Sequence, residues 1–205
     1  GSLHVDVHSW GQEDHLRIAG QVIELIYVHF DDLHAQVAQA YETGLSDEGY
    51  TTAQLHNVAN GRPLYDPSGA LAALQARLRT TFPEATRRHL LRYHPALLRV
   101  YLAHVVKAQR RGDWLYVQHR RYTLHMVFFN LLFTLNRLYH PGEKRLLTHL
   151  QQCALKPADC AARWIITTRL FADDPALPAA LEALVDDLIA LIEQYGNVEI
   201  AEYPY

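Results

Sequence analysis

Hydrophobic and polar residues alternate at the start of the chain, and the period then changes to that of a helix. Residues 3–8 alternate strictly, which predicts a strand. A polar, loop-like stretch at 11–15 is followed by a β-branched and aromatic stretch at 16–30, which predicts a second strand. Because two strands alone are marginally stable in water, this hairpin needs further sheet, a helical layer or a partner chain.

After the hairpin the apolar residues recur with a helical period, and prolines and glycines separate the helices. Pro95 predicts a break in the helical pattern and the start of a new helix. The pattern predicts a mainly α fold: an antiparallel bundle of about five long helices with a small N-terminal β-hairpin, or α+β with minor β. The predicted organisation is a hairpin at 3–30, a bundle at 31–196 and a tail at 197–205, which is either a final strand or an arm.

The helix predicted at about 114–139 is apolar on nearly all sides, which is typical of the centre of a bundle. Its most apolar run, 122–135, is too short to span a bilayer, so no membrane partner is expected. Asn130 and Asn136 would then lie in or near the core, where an unpaired amide costs roughly 1–3 kcal/mol. We expect both amides to bond neighbouring segments.

A charged proline-glycine elbow, residues 136–145, ends this helix. In one interpretation its cations cap the helix, since a helix C-terminus favours positive charge. In the other, the elbow lines a site at the end of the bundle, where lysine and arginine contact phosphate. The candidate binding residues are Asn136, Arg137, Tyr139, Lys144 and Arg145.

Composition excludes few classes of protein. The 205 residues carry a formal net charge of −3, without the basic excess that favours nucleic acid, so nucleic acid is not the expected partner. Two cysteines, Cys153 and Cys160, form no C-x-x-C pair and predict no disulfide scaffold. With no signal-peptide pattern at the first residues, a cytoplasmic location is expected.

Two further patterns suggest chemistry. His4, Asp6 and His8 alternate along the first strand with Glu24 across from them, and such groups suit a divalent metal, although polar residues on a strand usually face solvent. Arg-x-x-x-x-His occurs at 99–104 and 120–125, and helical ribonucleases of the HEPN class carry such a motif. The motif is short, and a histidine in an apolar helix is more typical of a core.

Three elements, in this order, resemble the helical part of the nucleotidyltransferase superfamily, in particular aminoglycoside-nucleotidyltransferase-like bacterial proteins. "GRPLYDPSGALAAL" at 61–74 resembles the turn that enters the helical domain, and "AQRRGDWLYVQHRRYTL" at 108–124 resembles the junction before the long helix. "LNRLYHPGEKRLL" at 135–147 resembles an element of the C-terminal helical domain.

The catalytic signature of that family, Gly-Ser followed by Asp-x-Asp, is absent, since "VDVH" offers Asp6-x-His8. Glu24, in "VIELIYV", falls where the family's third carboxylate lies. The resemblance implies the C-terminal helical part of a nucleotidyltransferase-like protein, with the catalytic front half missing or degenerate. It implies Asp6 and Glu24 as catalytic residues, Mg²⁺ held by Asp6, His8 and Glu24, and phosphate contacts from the elbow.

The substrates implied by the resemblance are a nucleotide triphosphate and an unknown small-molecule acceptor. A non-enzymatic helical module that binds a partner or forms a homodimer is the alternative, with the elbow serving only the fold. A ribonuclease of the HEPN type is the second alternative.

Overall fold

The computed structural model of the protein describes residues 6–8 and 11–202, and the fold is mainly α with a minor β part at the N-terminus, as predicted. The described residues begin with three strands: β1 (Asp6–His8), β2 (Gly11–Ile18) and β3 (Gln21–Tyr27). Eight helices follow within the described part of the chain: α1 (Phe30–Glu42), α2 (Ala53–Asn60), α3 (Ala70–Thr80), α4 (Glu84–Arg110), α5 (Trp114–Leu135), α6 (Leu146–His149), α7 (Cys160–Arg169) and α8 (Leu177–Tyr195), with a 3-10 turn at Leu150–Gln152. The chain divides after Gln39 into two compact units.

The first unit contains an antiparallel sheet in the order β1-β2-β3. Strands β2 and β3 meet at a two-residue turn, in which Ala19 and Gly20 have φ values of 49° and 80° and Ile18 pairs with Gln21. Two consecutive positive φ angles fit a tight hairpin turn whose twist matches that of the strands. Glycine adopts this conformation at little cost, and Ala19 does so under strain.

The sheet corrects two predictions from the sequence. The polar stretch at 11–15 is not a loop but the first part of β2, and the predicted second strand is divided by the turn at 19–20. Strand β2 lies between β1 and β3 and pairs with both, so main-chain hydrogen bonds hold it despite its polar side chains. His4 lies outside the described residues.

Helix α4 runs without interruption through Pro95, which corrects the predicted break. A proline inside a helix loses one backbone hydrogen bond and costs about 3 kcal/mol. Leu91 and Leu98, on either side of Pro95, are completely buried. Burial of such side chains returns roughly 1.5–3 kcal/mol each, so packing of the long helix outweighs the local cost.

Helix α5 forms the centre of the second unit, as its all-round apolarity predicted. Its buried aromatic residues Phe128, Phe129 and Phe133 belong to the main core, and Trp164 of α7 packs against the first two. Helix α5 ends at Leu135, earlier than predicted, because the elbow begins there. None of the described helices is long and apolar enough to cross a membrane.

The amide N–H of Asn130 finds a partner in a nearby loop. The completely buried Asn130 donates to the hydroxyl of Thr51, 2.8 Å away, as the sequence analysis expected of its amide. Cys153 and Cys160 are buried free thiols.

The described part of the tail, residues 197–202, packs against the bundle and contains no strand. Val198 and Ile200 lie against the core, and the amide of Ala201 donates to the carbonyl of Arg92, 2.8 Å away. This part of the tail is therefore a docked segment.

Two histidines are buried in the second unit as neutral rings. His140 is 0% exposed, its Nδ1 accepts from the amide of Gly142 at 3.0 Å, and its ring meets Phe133 edge-on at 5.2 Å. Burial lowers the pKa of His140 to about 4, and it does the same to the pKa of His94. Both rings therefore enter the folded state without their proton at neutral pH.

We expect the free energy of unfolding to fall as the pH is lowered through the range from about 6.5 to 4. The pKa values of His94 and His140 are depressed in the fold, so the unfolded chain binds more protons across this range. The expected loss between pH 7 and pH 5 is roughly 1–2 kcal/mol for each ring. Denaturant unfolding at the two pH values measures it. Equal unfolding free energies at pH 7 and pH 5 would contradict the prediction.

Candidate functional site

The elbow is held in place by the side chain of Asn136, the residue that follows α5. Its amide donates to the carbonyls of Leu132 and Leu155 at 2.8 and 2.7 Å, and its Oδ1 accepts from the amide of Leu155 at 2.8 Å. Both N–H groups and the oxygen are thus bonded within the protein. The structure assigns Asn136 to positioning the elbow, in agreement with the expectation that its amide bonds a neighbouring segment.

Arg137 and Tyr139 fix the elbow against α3 and α4. Arg137 has a left-handed φ of 53°, and its Nε lies 2.7 Å from a carboxylate oxygen of Glu84. Because this pair is about half exposed, its main effect is to orient the guanidinium. The hydroxyl of Tyr139 donates to the carbonyl of Leu78 at 3.0 Å, and its ring stacks on Phe82 at 5.2 Å.

Arg137 and Tyr139 form part of the wall of a cleft of about 500 Å³, which we call the elbow cleft. Helices α2, α3 and α6 and the 3-10 turn supply further lining residues. The lining residues are His56, Ala59, Asn60, Leu78, Arg79, Phe133, Arg137, Leu138, Tyr139, His149 and Gln152. No acidic side chain of the described chain lines this cleft.

Two histidines lie side by side in the elbow cleft. The rings of His56 and His149 meet edge-on with their centroids 5.6 Å apart. Burial and then the charge of His149 lower the pKa of His56, whereas a hydrogen bond to the backbone of Tyr139 acts in the opposite direction. The His56 ring is therefore mostly neutral near pH 7, when it can accept or donate a hydrogen bond.

Arg79 adds a second guanidinium to the elbow cleft. Its Nε donates to the carbonyl of Ala59 at 2.7 Å, which anchors the side chain beside the end of α2. Together with Arg137 it places two permanent positive charges at a cleft that lacks acids. Planar guanidinium groups bind phosphate and carboxylate oxygens through paired hydrogen bonds, so the elbow cleft is suited to an anion.

The five predicted elbow residues do not form one site. Lys144 is exposed, and Arg145, which has a left-handed φ of 56°, lines a different cavity together with Glu143. The cleft residues of α2 and α3, above all His56, Asn60 and Arg79, were not predicted from the sequence. Their one sequence signal was the spacing of His56 and Asn60, four residues apart on one helix face, where their side chains lie 3.4 Å apart.

Glu24, the predicted catalytic acid, is exposed on β3 and pairs with His15 of β2. Asp6 of β1 pairs with Glu13, so the register gives positions 6, 13 and 24 to the same face of the sheet. His15 Nε2 lies 3.9 Å from Glu13 on that face. Glu13 and His15 were missed because the sequence analysis assigned residues 11–15 to a loop.

The predicted metal ligands Asp6, His8 and Glu24 occupy β1 and β3. In the part of the chain that the structure describes, no group of three or more histidine, cysteine, aspartate or glutamate side chains is arranged to hold a metal ion. Asp6 pairs with Glu13 and His8 with Gly11.

The two Arg-x-x-x-x-His motifs place their members in separate environments. Arg120 lies over the rings of Tyr101 and Tyr116, whereas His125 meets Trp164 of α7 edge-on at 5.1 Å. In the other motif, Arg99 pairs with Asp186 of α8. Since Arg120 and His125 contact different helices, their contacts give the ribonuclease hypothesis no support.

Replacing Asn136 with alanine should destabilise the protein. The change removes three hydrogen bonds and leaves the amide and carbonyl of Leu155 without that partner. We expect a loss of roughly 2–4 kcal/mol in the free energy of unfolding, measured with denaturant.

Asn57→Ala is the matched control, since Asn57 is exposed on α2, and it should change stability by less than about 0.5 kcal/mol. An Asn136→Ala variant as stable as the wild type would show that the elbow is held in another way.

Comparison with known proteins gives one family match. Residues 49–146, about half of the chain, match the model of a family described as Domain of unknown function (DUF4037). No curated protein and no solved structure matches the chain. The matched segment contains α2 to α5, the loops between them and the elbow, and thus most of the elbow cleft.

Proposed function

We propose that this chain is the helical, substrate-binding part of a nucleotidyltransferase-like protein, and that the elbow cleft binds the phosphate groups of a nucleotide triphosphate. The observation that carries the proposal is a cleft of about 500 Å³ with Arg79 and Arg137 in its wall and no acidic side chain among its lining residues. A phosphate chain is the kind of ligand that two guanidinium groups suit best.

The proposal also rests on the resemblance, and two of the sequence elements that carry it lie where helices α3 and α5 begin. In "GRPLYDPSGALAAL", a carboxylate oxygen of Asp66 accepts from the amide of Ala72 at 2.9 Å in the first turn of α3. In the junction at 108–124, Asp113 caps α5 by accepting from the amide of Tyr116 at 3.2 Å. These elements set where α3 and α5 begin, and so they support the shape of the elbow cleft.

In the intact protein, an acceptor hydroxyl would attack the α-phosphorus of the triphosphate. The new phosphorus–oxygen bond would form as the bond to pyrophosphate breaks, and the proton of the hydroxyl would pass to a base. We propose Glu24 and Asp6, which the register places on one face of the sheet, for the acid-base and metal-binding role. We propose the elbow cleft for phosphate binding. The acceptor is a small molecule with a free hydroxyl or a similar group.

The proposed cofactor is Mg²⁺. Glu24 and Glu13 offer carboxylate oxygens, the ligands that Mg²⁺ prefers, but the described residues alone provide no group of three metal-binding side chains. Mg²⁺ is commonly held by one or two carboxylates and takes its remaining ligands from outside the protein, so Glu13 and Glu24 fit such an ion. When bound, it would neutralise charge on the triphosphate.

Titration calorimetry with ATP and GTP tests the elbow cleft. We expect binding by the wild type, and about tenfold weaker binding by Arg79→Gln, because the change removes a charged hydrogen-bond donor from the cleft. Arg110→Gln removes an exposed arginine at the far end of α4 and should bind like the wild type. The absence of binding by the folded wild type at millimolar nucleotide would overturn the proposed function.

The role of Glu24 has its own test in the same calorimeter. In a titration with Mg²⁺ alone, the wild type should bind the ion and Glu24→Gln should abolish that binding. Glu182→Gln, at an exposed site on α8, is the matched control. If Glu24→Gln responds to Mg²⁺ like the wild type, Glu24 holds no ion in this chain.

A second candidate function, a helical module for protein interaction or dimerisation, has support from exposed apolar side chains. Leu115 and Phe171 are 86% and 77% exposed. Leu115 lies in the first turn of α5, and Phe171 follows the end of α7. Sedimentation velocity over a range of concentrations tests this candidate, since self-association that Leu115→Glu abolishes would favour a homodimer.

A further inference from the structure

The proposed function gives no role to the two histidines of the elbow cleft, His56 of α2 and His149 of α6, which we call the histidine pair. Both side chains are half-buried and line the cleft. Their rings meet edge-on with the centroids 5.6 Å apart. Two helices that are distant in the sequence therefore bring two titratable rings together where the phosphate chain is proposed to bind.

The contacts of His56 favour the neutral form of its ring when the cleft holds no ligand. The Nδ2 of Asn60 donates to the backbone carbonyl of His56 at 2.8 Å and lies 3.4 Å from Nδ1 of the ring. Because an amide nitrogen is a donor only, this contact suits an Nδ1 that carries no hydrogen. Burial and then the charge of His149 lower the pKa of His56, which acts in the same direction.

The histidine pair shares the cleft with two permanent cations and with no acidic side chain of the described chain. The cations are Arg79 of α3 and Arg137 of the elbow. Burial raises the pKa of Tyr139, so this phenol stays neutral, and burial keeps the nearby His140 neutral as well. An imidazolium in this cleft would therefore find its counter-charge in a ligand.

A bound anion would change the balance between the neutral and the protonated pair. A negative charge within about 4–6 Å favours the protonated form of an imidazole, and a positive charge at that distance disfavours it. The phosphate chain has the first effect, whereas a second imidazolium in the adjacent ring would have the other, so one proton is expected for the pair and not two. An imidazolium also presents an N–H at each ring nitrogen, which adds a charged donor for phosphate oxygens.

We propose that His56 and His149 are anion-binding residues of the elbow cleft, and that the pair takes up one proton when a triphosphate binds. This inference rests on the proposed function and adds to it two binding residues and a proton. The proton comes from the solvent, and no covalent bond forms or breaks. By linkage, the affinity for a triphosphate should rise as the pH falls, by at most about tenfold per pH unit for one proton.

Titration calorimetry with a ligand of constant charge tests the proposal. The γ-methyl ester of ATP carries one permanent charge on each phosphate, so protons exchanged on binding near neutral pH belong to the protein. At constant ionic strength and without Mg²⁺, binding enthalpies in buffers of different ionisation enthalpy give the number of protons taken up. We expect about half a proton or more at pH 7, and roughly tenfold tighter binding at pH 6 than at pH 8.

A double variant assigns the proton to the histidine pair. His56→Gln combined with His149→Gln should bind the ester about as tightly as the wild type at pH 8, take up no proton, and show no rise in affinity at pH 6. The matched control combines His29→Gln with His34→Gln, at two exposed positions of the first unit, and should behave like the wild type. Equal losses of affinity at pH 8 and pH 6 in the first variant would overturn the role of the proton.

The wild type provides an independent readout through its imidazole signals in proton–carbon NMR spectra. The signals of His56 and His149 are assigned by their loss in the two single variants. At pH 7.5, saturating ester should move at least one of them toward the position of an imidazolium and leave the His29 signal in place. If both signals keep the positions of neutral rings while the ester is bound, the proposal is wrong.

The outcomes separate this inference from the proposed function. Binding of the ester without proton uptake, or with an uptake that the double variant retains, would overturn the inference and leave the proposed function standing. If ATP binds and the ester does not, the comparison is made with ATP, and the same pH dependence in the wild type and the double variant would overturn the inference. The absence of binding by both ATP and the ester would overturn both proposals.

Discussion

The burial of the second half of helix α5 on all its sides is the constraint on which the second unit depends. Residues 127–135 are all buried, so no face of this half of the helix is left for water or for polar side chains. Polar groups are confined to its ends or must bond loops, as Asn130 does with Thr51. The chain leaves the core at the charged elbow. There its backbone carbonyls and side chains can form hydrogen bonds with other segments.

The elbow is consequently a rigid connection. The amide of Asn136 replaces helical bonds with bonds to Leu132 and Leu155, and the hydroxyl of Tyr139 bonds the end of α3. A connection tied in this way holds its side chains at defined positions, which lowers the entropy lost when a ligand binds. It also contributes to two different cavities, since Arg137 lines the elbow cleft and Arg145 lines another cavity together with Glu143.

The features that depend on local pattern could be predicted from the sequence. The central position of α5 followed from its all-round apolarity, and the bonds of Asn130 and Asn136 followed from the cost of burying an amide. The predictions for β2 and for Pro95 were wrong because main-chain pairing and packing outweigh local preference. The elbow cleft brings together His56, Arg79 and His149 from three helices, and no spacing in the sequence encodes that proximity.

The net charge of the whole chain does not describe the charge that a ligand meets in the elbow cleft. A net charge of −3 describes the whole chain, and screening limits the reach of an exposed charge to about 10 Å in ordinary buffers. What a ligand meets is therefore set by the groups that line its cavity. Acidic side chains are absent from the lining of the elbow cleft, which makes an acidic protein locally suited to an anion.

Arg137 is held there by Glu84, which compensates part of its charge, whereas Arg79 is anchored by a carbonyl and keeps its full charge. The affinity of the elbow cleft for an anion should depend more on Arg79 than on Arg137 for this reason, although Arg137 is the residue that the sequence pattern makes conspicuous.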